Sequence, residues 1–216
     1  MTAPTRRTAL RRHKERGAHD RETVYAILDE AFICHAACQV DGTVYMIPTA
    51  YGRAGDRLYL HGAAANHVLK AAAAGAELTV TVTLVDGLVL ARSTFHHSIN
   101  YRSVVIYARA TEFTEPEEKA AALNVIVEHM LPGRTAEARQ PTPAELQMTR
   151  VVWLPLDEAS AKVRTGGPIE DDDDRALPVW GGVIPLGQRA GVPQPDEFNP
   201  PDRPAPGSAV QPRRWG

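Results

Sequence analysis

The stretch Phe95-His96-His97-Ser98-Ile99-Asn100-Tyr101-Arg102-Ser103-Val104-Val105-Ile106-Tyr107 passes from a polar run into β-branched and aromatic residues. Valine, isoleucine and tyrosine at this density predict a strand in the core of a β-rich domain. A hydroxyl, an amide, a phenol and a guanidinium come together at the start of that strand, where they could hold a ligand. From this stretch alone, a turn of polar side chains that satisfy one another is an equal alternative.

Turn signals on either side of this stretch predict an antiparallel sheet. Strand-like residues 32–40 and 43–51 flank Asp41-Gly42, and residues 57–61 follow a turn at 52–56. Asp86-Gly87 predicts a further hairpin, which would break residues 77–91 into two strands. Short turns of this kind join antiparallel neighbours. Pro48 falls inside a predicted strand and marks a bulge, an edge or an opening in the ladder, because proline donates no backbone hydrogen bond.

Helices are predicted between these strands. Asp20 and Asn66 are potential caps for helices over 20–31 and 66–74, and residues 116–131 have a helical apolar pattern. The turn after His61 consists of small residues and leads to the second helix, whose free N–H groups attract phosphate. His67 and Lys70 are one turn apart there, so both could face an anion.

Composition limits the classes of function. The 216 residues carry a net charge of −2, which favours neither nucleic acid nor an anionic membrane as a partner. The apolar runs are shorter than the roughly 20 residues needed to span a bilayer. The only two cysteines, Cys34 and Cys38, fit a reducing cytoplasm, and we expect them to be buried thiols.

The chain is predicted to consist of one domain with two extensions. Residues 1–19 form a basic arm, for which nucleic-acid contact is the less favoured role. Residues 20–187 form the domain. Residues 188–216, rich in proline, are expected to be extended or disordered. Before this tail, residues 177–185 are predicted to form a lid or to pack on a partner subunit.

Several catalytic and metal motifs are absent or incomplete. Ser98 beside His97 would suit a hydrolase, but the Gly-x-Ser-x-Gly elbow is missing. His96 and His97, if in a strand, would point to opposite faces, which favours structural or interface roles. The acidic run 170–174 lacks calcium-loop spacing and is interpreted as solvated charge. We therefore predict no metal site.

Four stretches together resemble a known family. They are Ile47-Pro48-Thr49-Ala50-Tyr51, Leu58-Tyr59-Leu60-His61-Gly62-Ala63, residues 95–104 as quoted above, and Val163-Arg164-Thr165-Gly166-Gly167-Pro168 with Leu177-Pro178-Val179-Trp180. The chain resembles the FMN-binding split barrels of the pyridoxamine 5′-phosphate oxidase superfamily, in the branch similar to nitroimidazole-resistance (Nim-type) reductases. The resemblance implies an α+β fold, with a six- to seven-stranded antiparallel split barrel, flanking helices and an extended C-terminal tail.

The resemblance also implies a homodimer with two FMN sites at the subunit interface. The residues that it matches to the cofactor site are Pro48, Thr49, Ala50, Tyr51, His61, Gly62, Ala63, His67, Lys70, Asn100, Tyr101, Arg102, Ser103 and Trp180. In this match, Pro48 to Tyr51 would lie beside the isoalloxazine ring, and His61 to Ala63 with Lys70 would hold the phosphate. Asn100 to Ser103 would approach the flavin from a barrel strand, and Trp180 would lie near the site. His61 is the predicted catalytic residue near the substrate.

Three functions remain open from the sequence. The first is an FMN-dependent oxidoreductase, nitroreductase-like, which takes electrons from a nicotinamide or deazaflavin donor and reduces a nitroaromatic or quinone. The second is a non-catalytic module of the same fold that holds flavin, or haem through one of its histidines. The third is an empty dimeric barrel with an interaction tail.

Overall fold

A computed structural model describes residues 4–210, so residues 1–3 of the predicted arm and 211–216 of the predicted tail lie outside the described residues. Within residues 4–210 there are ten strands and six α-helices, compared with the six or seven strands predicted. The difference comes largely from strands of two to four residues, which are too short to show a period-2 pattern in the sequence. The pairings whose register is described are antiparallel, as predicted.

The strands and helices have the following bounds. The strands are β1 (Gly17–Ala18), β2 (Ile33–Val40), β3 (Thr43–Ala54), β4 (Arg57–Ala63), β5 (Glu77–Leu90), β6 (Ser98–Arg109), β7 (Thr111–Glu112), β8 (Thr149–Pro155), β9 (Ala159–Arg164) and β10 (Gly182–Pro185). The helices are α1 (Arg21–Glu30), α2 (His67–Ala73), α3 (Pro116–Met130), α4 (Pro143–Met148), α5 (Asp172–Arg175) and α6 (Gly207–Val210).

The chain divides into two compact units. Unit 1 contains residues 4–31, 81–105 and 158–188 of the described part, and unit 2 contains residues 32–80, 106–157 and 189–210. Strands β5 and β6 each begin in one unit and end in the other. The two units are described separately below.

Unit 1 is built from α1 and a small sheet. The side chain of Asp20 accepts a hydrogen bond from the Thr23 N–H at 2.8 Å, which confirms the predicted helix cap. Helix α1 buries Val24, Ile27 and Leu28. The strand order is β1-β9-β6-β5, and β10 also pairs with β5.

Unit 2 contains the sheet β2-β3-β4-β8-β7 together with α2, α3 and α4. The side chain of Asn66 accepts from the Leu69 N–H at 3.1 Å, so the predicted cap of α2 is also confirmed. The core of this unit includes Tyr51, Leu58 and Leu60, each fully buried.

The two Asp-Gly pairs behave differently. Asp41 and Gly42 have φ of 50° and 80° and form the predicted hairpin between β2 and β3. Asp86-Gly87 does not form a turn, because β5 continues without a break from Glu77 to Leu90. Gly87 pairs with Pro185 on β10, and a Cβ on Gly87 would lie 3.0 Å from the Ile184 carbonyl oxygen. This glycine therefore permits close strand pairing, and the prediction of a hairpin here was wrong.

Two further predictions near the end of unit 1 need correction. Residues 170–174 are not uniformly solvated, because Glu170 is buried and accepts hydrogen bonds from Arg92. Part of the segment 177–185 forms strand β10 rather than only a lid. In the described part of the chain, no helix has the length and apolarity that crossing a membrane requires.

Candidate functional site

The polar cluster of the opening stretch lies within β6, where side chains alternate between two faces. Tyr101 and Ser103 line a cavity of unit 1. Asn100 and Arg102 bond to other groups that do not line this cavity. The sequence grouped these four residues as one ligand-binding set, but the strand period separates them into two pairs with different surroundings.

The cavity on this face has a volume of about 670 Å³. Its lining combines apolar and hydroxyl groups with one imidazole, and consists of Thr83, Val85, His97, Ser98, Ile99, Tyr101 and Ser103. Val85 and Ile99 are 48% and 45% exposed, so the apolar walls are accessible to a ligand. Volumes of about 300–1,000 Å³ are typical of sites for cofactors and other small molecules.

Arg102 lies between two carboxylates. It donates to both oxygens of Asp86 at 2.7 and 2.9 Å, and to Glu30 Oε1 at 2.7 Å. A further hydrogen bond joins its Nη1 to Glu30 Oε2. The bonds to Glu30, and then those to Asp86, raise the pKa of Arg102 above its already high value. The guanidinium is thus engaged within unit 1 and joins α1 to β5 and β6, while its predicted place in the cofactor site stays a prediction.

Asn100 is buried and also has a structural set of bonds. Its amide nitrogen donates to the Gly166 carbonyl at 3.1 Å, and its oxygen accepts from Arg164. Arg164 in turn donates to the Gly167 carbonyl at 3.1 Å. This network positions residues 164–167, which belong to the fourth stretch of the resemblance.

The adjacent histidines lie in a turn rather than in a strand, so the opposite-face prediction does not apply. Residues Thr94–His96 form a single 3-10 turn, and His97 precedes β6. Nε2 of His96 lies 3.5 Å from an oxygen of Asp171, whereas Nδ1 of His97 lies 3.0 Å from the Ser93 carbonyl oxygen. Of the two histidines, only His97 lines the cavity.

Trp180 is 64% exposed and precedes β10. A Cβ on Gly182 would lie 2.8 Å from the indole ring, and one on Gly181 would lie 2.7 Å from Arg92 Nη1. The two glycines therefore let Trp180 and Arg92 approach the backbone closely. The predicted contact of Trp180 with a cofactor stays a prediction.

The predicted residues 48–51 lie on β3 in unit 2. Pro48 is exposed and opposite His35 on β2, while the described register between β3 and β4 begins at Tyr51. The Tyr51 side chain is fully buried, with its ring centroid 4.8 Å from that of His129. The 0% exposure covers the backbone as well as the side chain, so the contact predicted between Tyr51 and the isoalloxazine ring stays a prediction. Thr49 and Ala50 are half-buried.

His61 lies on β4 of unit 2 with a buried, unpartnered Nδ1 atom. Burial lowers the pKa of its imidazole, so the neutral ring is favoured at neutral pH. A Cβ on Gly62 would meet Leu69 at 2.9 Å, which gives this glycine a role in packing β4 against α2. Ala63, at the end of β4, is exposed.

His67 and Lys70 are exposed on α2, one turn apart as predicted. The ring of His67 lies 4.2 Å from the ring of Tyr45. Both side chains are accessible to an anion, and their role in phosphate binding stays a prediction.

The predicted site residues thus form two groups, one in each unit. Unit 2 carries residues 48–51, 61–63, His67 and Lys70, whereas unit 1 carries residues 100–103 and Trp180. The sequence did not identify Thr83 and Val85 as cavity residues, although the alternation of apolar and polar residues along β5 is visible in it. It also assigned His97 to a structural role.

Comparisons with known proteins identify the family of the chain. The family model for pyridoxamine 5′-phosphate oxidase matches residues 20–163. The flavocytochrome Anf3 from Azotobacter vinelandii is 38% identical, with a TM-score of 0.92 and 100% of both chains covered. The FAD and haem binding protein from Mycobacterium smegmatis is 33% identical, with a TM-score of 0.87, and the match covers 91% of this chain and 97% of that one.

A more distant structure shares the fold alone. It comes from Bacteroides thetaiotaomicron and is named for 5-nitroimidazole antibiotic resistance. It is 22% identical to this chain with a TM-score of 0.56, and the match covers 68% of this chain and 86% of that one. Curated proteins give no sequence match. The predicted antiparallel split-barrel α+β class is confirmed by the similar structures. Because the family model spans most of the chain, the chain belongs to the pyridoxamine 5′-phosphate oxidase family.

Proposed function

We propose that this protein binds a flavin and a haem and acts as an electron-transfer oxidoreductase. The observation that carries the proposal is its similarity, over nearly its whole length, to two structures named for both cofactors, a flavocytochrome and an FAD and haem binding protein. This proposal combines the two cofactors that the sequence left as alternatives. When bound, a flavin supplies two-electron and a haem one-electron redox chemistry.

The residues present fit these groups. Haem iron in proteins is often held by a neutral imidazole, and the unit 1 cavity of about 670 Å³ offers one histidine beside the apolar side chains of Val85 and Ile99 and four hydroxyl-bearing residues. For the flavin, we propose that exposed Lys70 and His67 hold phosphate oxygens and that residues 48–50, which are exposed or half-buried, border the ring. Lys70 offers a charge, and the short side chains of Ala63 to Ala65 leave the turn before α2 accessible.

His61 is proposed to act next to the substrate. Its half-buried ring is kept neutral by desolvation, and its Nδ1 has no partner in the described residues. A neutral imidazole can donate a hydrogen bond through one nitrogen and accept one through the other. We propose that it orients a small acceptor or holds a proton for it. Reduced nicotinamides and deazaflavins are the donor classes to test, with quinones and nitroaromatics as acceptors.

We further propose that the protein is a homodimer. On β2 and β3, residues directly opposite one another share a face, and this face is apolar and exposed. Ile33, Val44 and Met46 on it are 51%, 66% and 61% exposed. An apolar face of this kind is typical of an interaction surface. Sedimentation of wild type and of Met46→Glu tests this: we expect a dimer that the charge weakens, and a wild-type monomer would contradict the proposal.

Cofactor analysis of the purified full chain tests the proposed function. Extracted flavin is separated chromatographically from FMN and FAD standards, and haem is measured as its pyridine complex. We expect FAD and haem, each bound after reconstitution if lost in purification. Flavin with no haem, together with nitroaromatic reduction, would favour the Nim-type interpretation, and binding of neither would contradict the proposal.

A further inference from the structure

The turn before β6 gives His97 a specific tautomer. Its Nδ1 lies 3.0 Å from the Ser93 carbonyl oxygen, and a carbonyl oxygen can only accept. Nδ1 therefore carries the hydrogen. In the neutral ring this leaves an electron pair on Nε2, the atom able to bind a metal.

The same turn fixes the direction of the ring. The Ser93 carbonyl also accepts from the His96 N–H at 3.2 Å, and the Ser93 hydroxyl oxygen accepts from the Phe95 N–H at 3.3 Å. Histidines that bind metals in proteins usually donate their second ring nitrogen to a carbonyl or carboxylate in this way, which orients the ring and strengthens the ligand.

His97 also borders a space suited to a porphyrin. It lines the cavity of about 670 Å³ together with the apolar side chains of Val85 and Ile99 and the ring of Tyr101. Val85 and Ile99 are about half exposed, at 48% and 45%, so a flat apolar ligand would bury surface that water now covers. Hydroxyls of Thr83, Ser98 and Ser103 in the lining could meet polar groups at the edge of such a ligand.

Other histidines in the described residues lack this combination. Nε2 of His19 is bonded to the Thr8 carbonyl, and Nε2 of His96 faces Asp171. His129 is buried in unit 2 against Tyr51. His13 lies 3.3 Å from a Glu15 oxygen. His35 and His67 are exposed, and Nδ1 of His61 has no partner in the described residues, but none of these three histidines lines the cavity.

We propose that Nε2 of His97 is an axial ligand of the haem iron, with the Ser93 carbonyl orienting the ring. This inference rests on the proposed function, because it requires that the chain bind haem. It assigns to one residue a ligand role that the sequence had left to an unspecified histidine.

The test is a haemin titration of the full-length apoprotein, followed by absorption and electron paramagnetic resonance spectra. The variants are His97→Ala and His97→Gly, with His96→Ala as a matched control from the same turn and His67→Ala as the competing site. Circular dichroism melting of each variant establishes that it is folded.

We expect His97→Ala to weaken haemin binding by at least about tenfold and to lose the histidine-ligated spectrum. Added imidazole should restore that spectrum in His97→Gly, while His96→Ala should behave as wild type. Unchanged spectra in folded His97→Ala, or loss in His67→Ala alone, would overturn the assignment while leaving haem binding intact. If the wild type takes up no haem, the haem part of the proposed function fails and the assignment fails with it.

Discussion

Replacing Arg102 with alanine tests whether its guanidinium stabilises unit 1 by joining α1 to β5 and β6, a role that we call the clamp. The substitution removes all the hydrogen bonds to Glu30 and Asp86 and leaves two carboxylates near one another. The Arg102 side chain is 29% exposed, but that of Glu30 is 48% exposed and can regain water. The loss should therefore stay below the 3–5 kcal/mol of a fully buried pair, and we expect about 2–3 kcal/mol.

Urea unfolding followed by circular dichroism measures this loss. With a slope of about 2–3 kcal/mol per molar, the midpoint of Arg102→Ala should fall by about 1 M. Arg102→Lys keeps the charge without the planar fork and should lose about half as much. Arg139 is a matched control, since it also binds both oxygens of one carboxylate, at 2.6 and 2.8 Å, but is 68% exposed. Arg139→Ala should cost about 0–1 kcal/mol.

A loss in Arg102→Ala no larger than that in Arg139→Ala would refute the clamp. Flavin titration of the same variants, without denaturant, adds a second criterion. The clamp predicts that folded Arg102→Ala keeps most of its flavin affinity. A tenfold loss of affinity with unchanged stability would instead show that Arg102 binds the cofactor, as the sequence suggested.

Three further outcomes follow from the structure. Gly52→Ala should lower the free energy of unfolding in urea by about 1–3 kcal/mol, because a Cβ would lie 2.8 Å from the Ile126 Cα. Gly167→Ala, where a Cβ would have no atom within 4 Å, should change it by under about 0.5 kcal/mol. Equal effects of the two substitutions would contradict this. Thr142→Ala should cost about 1 kcal/mol, since it removes the capping box of α4, and Thr142→Ser should restore stability. Burial raises the pKa of the Cys34 thiol to about 12, so the thiol stays protonated at pH 8. It should therefore not react with a thiol reagent until urea unfolds the chain. Rapid labelling of Cys34 in the folded protein would contradict its burial.

The predictable parts of the fold are those set by local chemistry. Asp20 and Asn66 cap helices as their side chains allow, and Asp41-Gly42 forms a turn because both residues tolerate positive φ. Asp86-Gly87 consists of the same two residue types but lies inside the continuous strand β5. Its conformation is decided by pairing with β10, which lies about a hundred residues further along the chain and which local sequence does not reveal.

A cavity beside the quoted stretch was predictable, but the side chains that line it were not. The stretch 95–107 does border a cavity, yet alternation along β6 places Tyr101 and Ser103 there and leaves Arg102 with two acids. Glu30 comes from a helix some seventy residues earlier, so the pairing that engages Arg102 has no local signal. Similarly, the role of His97 depends on a backbone carbonyl that only the folded turn positions.

The absorption spectrum of the full-length protein, as purified and after addition of FAD and haemin, tests the two proposed cofactors most directly. We expect both a flavin band near ~450 nm and a Soret band near ~400 nm that persist through gel filtration. A chain that is folded but retains neither band after reconstitution would contradict the claim that this protein carries a flavin and a haem.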